Sequence, residues 1–227
     1  MTIQFPRESK EYRAARNELL AAELDLRQRT EEVAALRRKL PLGGLVPEDY
    51  EFEQFDPEND RVAAVRLSQL FAPAYDSLIV YSYMFGPAME APCPMCTSIL
   101  DALDGTAPHV RQRAGFAVVA KSPVERLREF ANGRGWRHLR LLSSANNTFN
   151  RDYHAETEEG DQNPLLHVFV RRDGGIYHSY TTEALWAPAP AGQDPRHVDS
   201  VWPLWNLFDL IPEGRGENWF PQLRYEE

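Results

Sequence analysis

Two cysteines, Cys93 and Cys96, stand three residues apart in the run Pro92-Cys93-Pro94-Met95-Cys96, and the chain has no others. The run before them, 77–85 (SLIVYSYMF), is β-branched, aromatic and nearly continuous in apolar character. That is the pattern of a buried central strand. The run after them, 97–113, sets Ile99, Leu100, Leu103 and Val110 on one helical face. The pair therefore falls at a strand-to-helix junction. On a first helical turn this spacing lets two sulfurs approach bonding distance. Unpaired N–H groups and the positive end of the helix dipole favour thiolate over thiol there. Cys93 is read as the nucleophile, because the N-terminal sulfur of such a pair is usually the more exposed. Its thiolate would attack a substrate disulfide, and Cys96 would resolve the mixed disulfide. An inert buried pair and a metal site stay open beside this reading. The metal site needs further ligands, and His109, His138, His154, His167 and His178 have no tight spacing to the cysteines or to one another.

Other residues carry weaker signals. Pro164 opens a strand after a long polar loop, and a cis bond there would hold backbone against the cysteines. His178 and Tyr180, two apart on one strand face, could move protons, but a half-exposed strand histidine is the simpler reading. Glu90 would oppose thiolate formation if close, and is more simply a solvated loop carboxylate. Tyr81, Tyr83 and Phe85 read as core and pocket walls. No GxxxxGK[ST] phosphate loop and no G-x-S-x-G elbow occur.

The surrounding pattern says what positions these residues. Residues 11–40 contain no Gly or Pro and are rich in Ala, Leu, Glu and Arg. Tyr12, Leu19, Leu26, Val33 and Leu40 recur every seven residues, with Ala15, Ala22 and Leu36 in the companion seam and Arg29 breaking it. The simpler reading is an amphipathic helix lying on its own domain. The other is a helix that pairs two copies. Strands are expected at 50–55, 77–85, 115–120, 139–142, 165–171 and 176–182, the last two as a hairpin around Asp173-Gly174-Gly175. Residues 67–71 read as a short turn of helix after a bridge rich in Arg and Val. Gly105 and Pro108 predict a broken helix after the cysteines. Ser122 and Pro123 predict an N-cap and first-turn proline for a helix through about residue 132. Residues 143–160 read as loop, and 202–210 as a docked terminal helix. Strands alternating with helices imply a mostly parallel sheet covered on both faces, extended by an antiparallel hairpin.

Composition is compatible with this. The 227 residues are 43% hydrophobic and 26% charged, enough apolar material for a core. The net charge of −9 argues against nucleic acid and anionic membranes as partners. Two cysteines exclude a disulfide-dense scaffold. The start, MTIQFPRESK, lacks a signal-peptide pattern, and no apolar run approaches the roughly 20 residues of a membrane span, so a cytoplasmic protein is expected.

The stretches LIVYSYMFGPAMEAPCPMC, PLLHVFVRRDGGIYHSYTT and LFDLIPEGRGENW, with DYEFE and VRLSQLF, resemble a thioredoxin-like family of predicted dithiol–disulfide oxidoreductases, long filed as a domain of unknown function. The likeness covers nearly the whole chain. It implies a thioredoxin-like α/β fold with peroxiredoxin-like elaborations, over 45–227, behind a helical extension at 1–44. It carries over Cys93 and Cys96 as the redox pair and makes Pro164 the counterpart of that fold's cis-proline. The implied partners are a disulfide- or thiol-containing substrate and an electron donor, with no cofactor and no metal, and a homodimer if the N-terminal helix pairs. The peroxiredoxin pattern PxxxTxxC is absent, since Pro94 stands seven residues beyond Pro87, and so is the Trp-Cys-Gly-Pro-Cys core of thioredoxin. Dithiol–disulfide exchange is therefore the expected activity. A redox-silent binding module and a thiol peroxidase are its alternatives.

Overall fold

A computed structural model describes residues 3–56 and 59–226. The chain divides into two compact units, Met1–Pro41 and Leu42–Glu227. The first is built on α1, Lys10–Arg38. Ser9 caps it, its hydroxyl accepting the Tyr12 N–H at 3.1 Å. Glu11 in the first turn and Arg37 and Arg38 in the last oppose the helix dipole with the correct signs.

The second unit contains the sheet. In chain order its elements are β1 (Glu51–Asp56), β2 (Arg61–Arg66), β3 (Ser77–Ser82), α2 (Pro94–Val110), β4 (Gly115–Ala120), α3 (Val124–Arg134), β5 (Leu141–Ser143), α4 (Phe149–Asp152), β6 (Leu165–Arg172), β7 (Gly175–Thr181) and α5 (Pro203–Phe208). The strands form one seven-stranded sheet in the order β2-β1-β5-β4-β3-β6-β7. The three strands at its centre, β5, β4 and β3, run parallel, and the hairpins β1–β2 and β6–β7 flank them antiparallel. This is the mixed α/β architecture expected, although the mostly parallel sheet is corrected: only the β3–β4 and β4–β5 pairings are parallel.

Side-chain alternation along the strands divides the core in two. Tyr81, Phe116 and Val118 point to one face, where α2 contributes Cys96, Ile99 and Leu100, α3 contributes Leu127, and α5 contributes Trp205. Leu78, Val80, Ala117 and Val119 point to the other, which is covered by Leu67, Leu70 and Phe71 and by Phe149 of α4. Both faces are covered, but the second by short segments rather than long helices. A β-carbon at Gly115 would collide with the Leu70 carbonyl, so glycine is what lets this segment lie close to β4.

Four local expectations are corrected. The bridge rich in Arg and Val is a strand, β2, with full register against β1 from Glu51↔Arg66 to Asp56↔Arg61. The helix after the cysteines begins at Pro94 and is continuous through Gly105 and Pro108. Pro108 lies two residues before the helix end, so the one hydrogen bond it removes, to the Asp104 carbonyl, does not break the preceding turns. Residues 143–160 contain α4, whose Phe149 and Asn150 are buried. Ser122 does not cap α3: Pro123 holds the N-cap position, and the Ser122 hydroxyl bonds elsewhere, to Gly86. Among the described residues, no helix is long and apolar enough to cross a membrane.

Candidate functional site

β3, like β5, is a junction between parallel and antiparallel pairing, parallel to β4 on one side and antiparallel to β6 on the other. Its continuation, Tyr83 to Phe85, stays fixed: the Tyr83 N–H donates to the Val119 carbonyl at 2.8 Å. The chain then loops out and returns at Cys93, whose N–H donates to the Met84 carbonyl at 3.0 Å. Cys93 is the N-cap of α2, with Pro94 at the first helical position. Proline has no N–H to offer, so the free donors of the first turn are those of Met95 and Cys96. Both lie beside the Cys93 sulfur and favour its thiolate, without closing a regular capping hydrogen bond.

The two thiols differ sharply. Cys93 is half-buried and Cys96 is 1% exposed. The Cys96 thiol donates to the Cys93 sulfur, and with the two backbone N–H groups this outweighs burial and lowers the Cys93 pKa to about 6. Burial, and then the neighbouring Cys93, push the Cys96 thiol well above its ordinary value. The pair is thus one ready thiolate and one thiol held in its protonated form, in the dithiol state.

A layer of polar contacts holds this geometry. The Thr97 hydroxyl donates to the Cys93 carbonyl at 2.9 Å and shares a 2.8 Å hydrogen bond with the Tyr83 hydroxyl. The Arg126 guanidinium, on α3, lies 4.4 Å over the Phe85 ring. It donates to the carbonyls of Gly86 at 3.4 Å, Glu90 at 2.6 Å, and Met89. The Ser122 hydroxyl adds a 3.3 Å bond to the Gly86 carbonyl. Three carbonyls of the loop preceding Cys93 are therefore pinned by one side chain. Glu90, considered from sequence as a carboxylate opposing the thiolate, is engaged through its carbonyl. A groove of about 1020 Å³ opens beside the loop, walled by Phe85, Pro92, Pro94, Arg126, Phe130 and Arg134.

Sequence reasoning missed Arg126, Ser122 and Thr97. Ser122 precedes the N-cap of α3 and Arg126 lies in its first turn, and nothing local says what either faces. Pro164 precedes β6, whose Leu165 pairs with Ser82. It therefore stands at the same sheet end as the exit of β3. No peptide bond among the described residues is cis, so the Asn163–Pro164 bond is trans and the cis-proline expectation is corrected. His178 lies elsewhere. Its Nε2 is 3.2 Å from Nδ1 of the buried His167, within an aromatic group of Phe149, Tyr153 and Phe169. That is the face opposite Cys96, so His178 has no route to the dithiol. Among the described residues no three His, Cys, Asp or Glu side chains converge as a metal site.

Comparison with known proteins adds the following. Among solved structures, the chain is similar to a reduced 2-Cys peroxiredoxin of Plasmodium vivax, at 14% identity over 70% of this chain and 95% of that one, with a TM-score of 0.47. It is similar to a mutant peroxiredoxin Q of Xanthomonas campestris, at 13% identity over 73% and 96%, with a TM-score of 0.48. It is also similar to a mutant peroxiredoxin Q of Xylella fastidiosa, at 12% identity over 74% and 96%, with a TM-score of 0.46. No curated protein matches its sequence. The family model described as bacterial protein of unknown function (DUF899) matches residues 2–226. A match over virtually the full length, on a fold with the cysteine pair at the head of α2, settles the relationship: the chain belongs to the DUF899 family.

Proposed function

We propose that the protein is a dithiol–disulfide oxidoreductase acting through Cys93 and Cys96. The observation that carries this is the asymmetry of the pair at the head of α2: Cys93, the half-buried N-cap, stands before a Cys96 that is 1% exposed, and their surroundings lower the pKa of the first and raise that of the second. The Cys93 thiolate attacks one sulfur of a substrate disulfide R–S–S–R′ in line. A Cys93–S–S–R bond forms, and R′–S⁻ leaves and takes a proton from water. Cys96 then gives up its proton to the departing group and attacks the Cys93 sulfur, expelling R–S⁻, which leaves as the thiol. The enzyme is oxidised by two electrons and the substrate disulfide is reduced by two. An external dithiol of unspecified identity returns the pair to its reduced form. Pro164, at the sheet end beside β3, borders the dithiol from the β6 side in this reading.

The test uses an aromatic disulfide, 5,5′-dithiobis(2-nitrobenzoate), with reduced protein. Wild type is expected to release two thiolates per chain and to end as an internal disulfide by mass. Cys96→Ser should release one and retain the aryl adduct, and Cys93→Ser should react slowly or not at all. A wild-type chain that never forms the internal disulfide removes the oxidoreductase reading in favour of a redox-silent binding module. Rapid peroxide consumption by the reduced protein, lost in Cys93→Ser, would instead assign a thiol peroxidase.

The protein is further inferred to self-associate through α1. Tyr12, Leu19, Leu26 and Val33 are all exposed along one heptad seam. In a parallel pair, Glu11 meets Arg16 and Glu32 meets Arg37 of the second copy, against one repulsive meeting of Glu18 with Glu23. An antiparallel pair centred on the same seam sets Glu18 against Glu32 and Asp25 against its own copy. The charges therefore select a parallel pair of identical helices.

A further inference from the structure

Tyr81 is the buried polar residue whose role the dithiol scheme leaves unassigned. It lies on β3, fully buried, in the same core cluster as Cys96. Its hydroxyl is buried and has no well-formed hydrogen bond in the dithiol state, the Cys96 thiol being the weak acceptor beside it. A buried hydroxyl without a partner is costly, and tyrosines of this kind normally find one. The adjacent tyrosine of the same stretch is satisfied, its hydroxyl committed to Thr97 at 2.8 Å. The group facing the Tyr81 hydroxyl is the Cys96 sulfur, with Cys93 and Tyr83 the other titratable groups around it. A neutral thiol is a poor acceptor. A thiolate is a strong one, and a hydrogen bond to a charged sulfur is much stronger than one to a neutral sulfur.

The geometry points to Tyr81 as the hydroxyl that stabilises the Cys96 thiolate during resolution of the mixed disulfide. This rests on the dithiol–disulfide reading and specifies how its second step proceeds. Cys96 is enclosed among apolar side chains, so its anion forms without water. Tyr81 donates its O–H to that anion and keeps its proton throughout. The Cys96 proton passes to the departing R–S⁻, which leaves as the thiol. The S–S bond between Cys93 and the substrate breaks as the Cys93–Cys96 bond forms. Because a neutral thiol is a weak acceptor and a thiolate a strong one, the Tyr81 hydrogen bond strengthens as Cys96 ionises, which is the condition for it to accelerate the step rather than only bind. Tyr81 is therefore a positioning and charge-stabilising residue behind the resolving sulfur.

Tyr81→Phe removes one oxygen and keeps the ring. With 5,5′-dithiobis(2-nitrobenzoate), the first thiolate release reports attack by Cys93 and the second reports resolution by Cys96. The expected result is an unchanged first phase and a second phase slowed about tenfold, with the aryl mixed disulfide accumulating. An unchanged second phase overturns the assignment of Tyr81 while leaving the oxidoreductase reading intact. A wild-type protein without a second phase defeats that reading itself, so the two failures are distinct. Thermal unfolding of the reduced protein supplies an independent arm. Tyr81→Phe should melt at or above the wild-type temperature, because the hydroxyl it loses is buried with only a neutral thiol beside it. A marked drop in the melting temperature would show a bond already formed in the dithiol and would overturn the proposal.

Discussion

At the scale of single residues, the pH dependence of Cys93 follows from its contacts. The thiolate is the reactive form, so alkylation should be fast above the Cys93 pKa and fall away below it. With that pKa lowered to about 6, the rate of iodoacetamide reaction at Cys93 should reach half its maximum near pH 6. An unperturbed cysteine does so near pH 8.5. The largest cause of the shift is the hydrogen bond from Cys96. Cys96→Ala should therefore move the inflection to higher pH while leaving the two backbone donors in place. Mass-resolved alkylation of Cys93 across pH 4–10 checks both curves, and coincident curves would remove Cys96 as the cause.

At the scale of elements, α1 and the loop before α2 behave differently. The loop is held from outside itself: Arg126 and Ser122 come from the β4–α3 region, and their acceptors are backbone carbonyls that any sequence would supply. α1 instead carries its own recognition pattern. Leu26, 67% exposed, stands mid-seam. Replacing it by Glu puts like charges opposite each other in a parallel pair. Sedimentation at tens of micromolar protein should give the mass of two chains for wild type and of one for Leu26→Glu. A wild-type protein that sediments as a single chain ends the pairing proposal. The heptads of α1 were legible because they repeat locally. The strand β2 was not, because its residues alternate too weakly in burial: Val65 alone among its residues is buried. Pairing with β1, rather than its own pattern, makes it a strand.

At the scale of the whole molecule, the buried His167–His178 pair ties stability to pH. His167 is fully buried, its Nε2 without a partner, and burial drives its pKa down to about 3. Burial also lowers that of His178. Both stay neutral in the folded chain at pH values where the unfolded chain takes up protons. The stability they contribute is complete above about pH 6.5 and is lost as pH falls from there toward the folded values. For His167 the slope approaches about 1.4 kcal/mol per pH unit within that window. Urea midpoints measured between pH 7 and 4 should fall more steeply for wild type than for His167→Phe, which keeps an aromatic ring among Phe149, Tyr153 and Phe169. Equal slopes would show that carboxylates alone govern the acid limb.

The cysteine pair, the strand before it, the helix after it and the heptads of α1 were all readable from residue spacing, because capping, periodicity and turn chemistry are short-range. The continuous α2, the buried α4 and the trans bond before Pro164 were not. Each depends on what the surroundings tolerate rather than on local preference. The sheet decided more still. Its register sends His167 and His178 to one face and Cys96 with Tyr81 to the other, so one nearby-looking set of polar residues became two separate sites. It also brought Arg126 across 36 residues of chain to the carbonyl of Glu90. Contacts of that range leave no trace in neighbouring residue types, since a backbone carbonyl or an unpartnered hydroxyl acquires meaning only when folding sets something beside it.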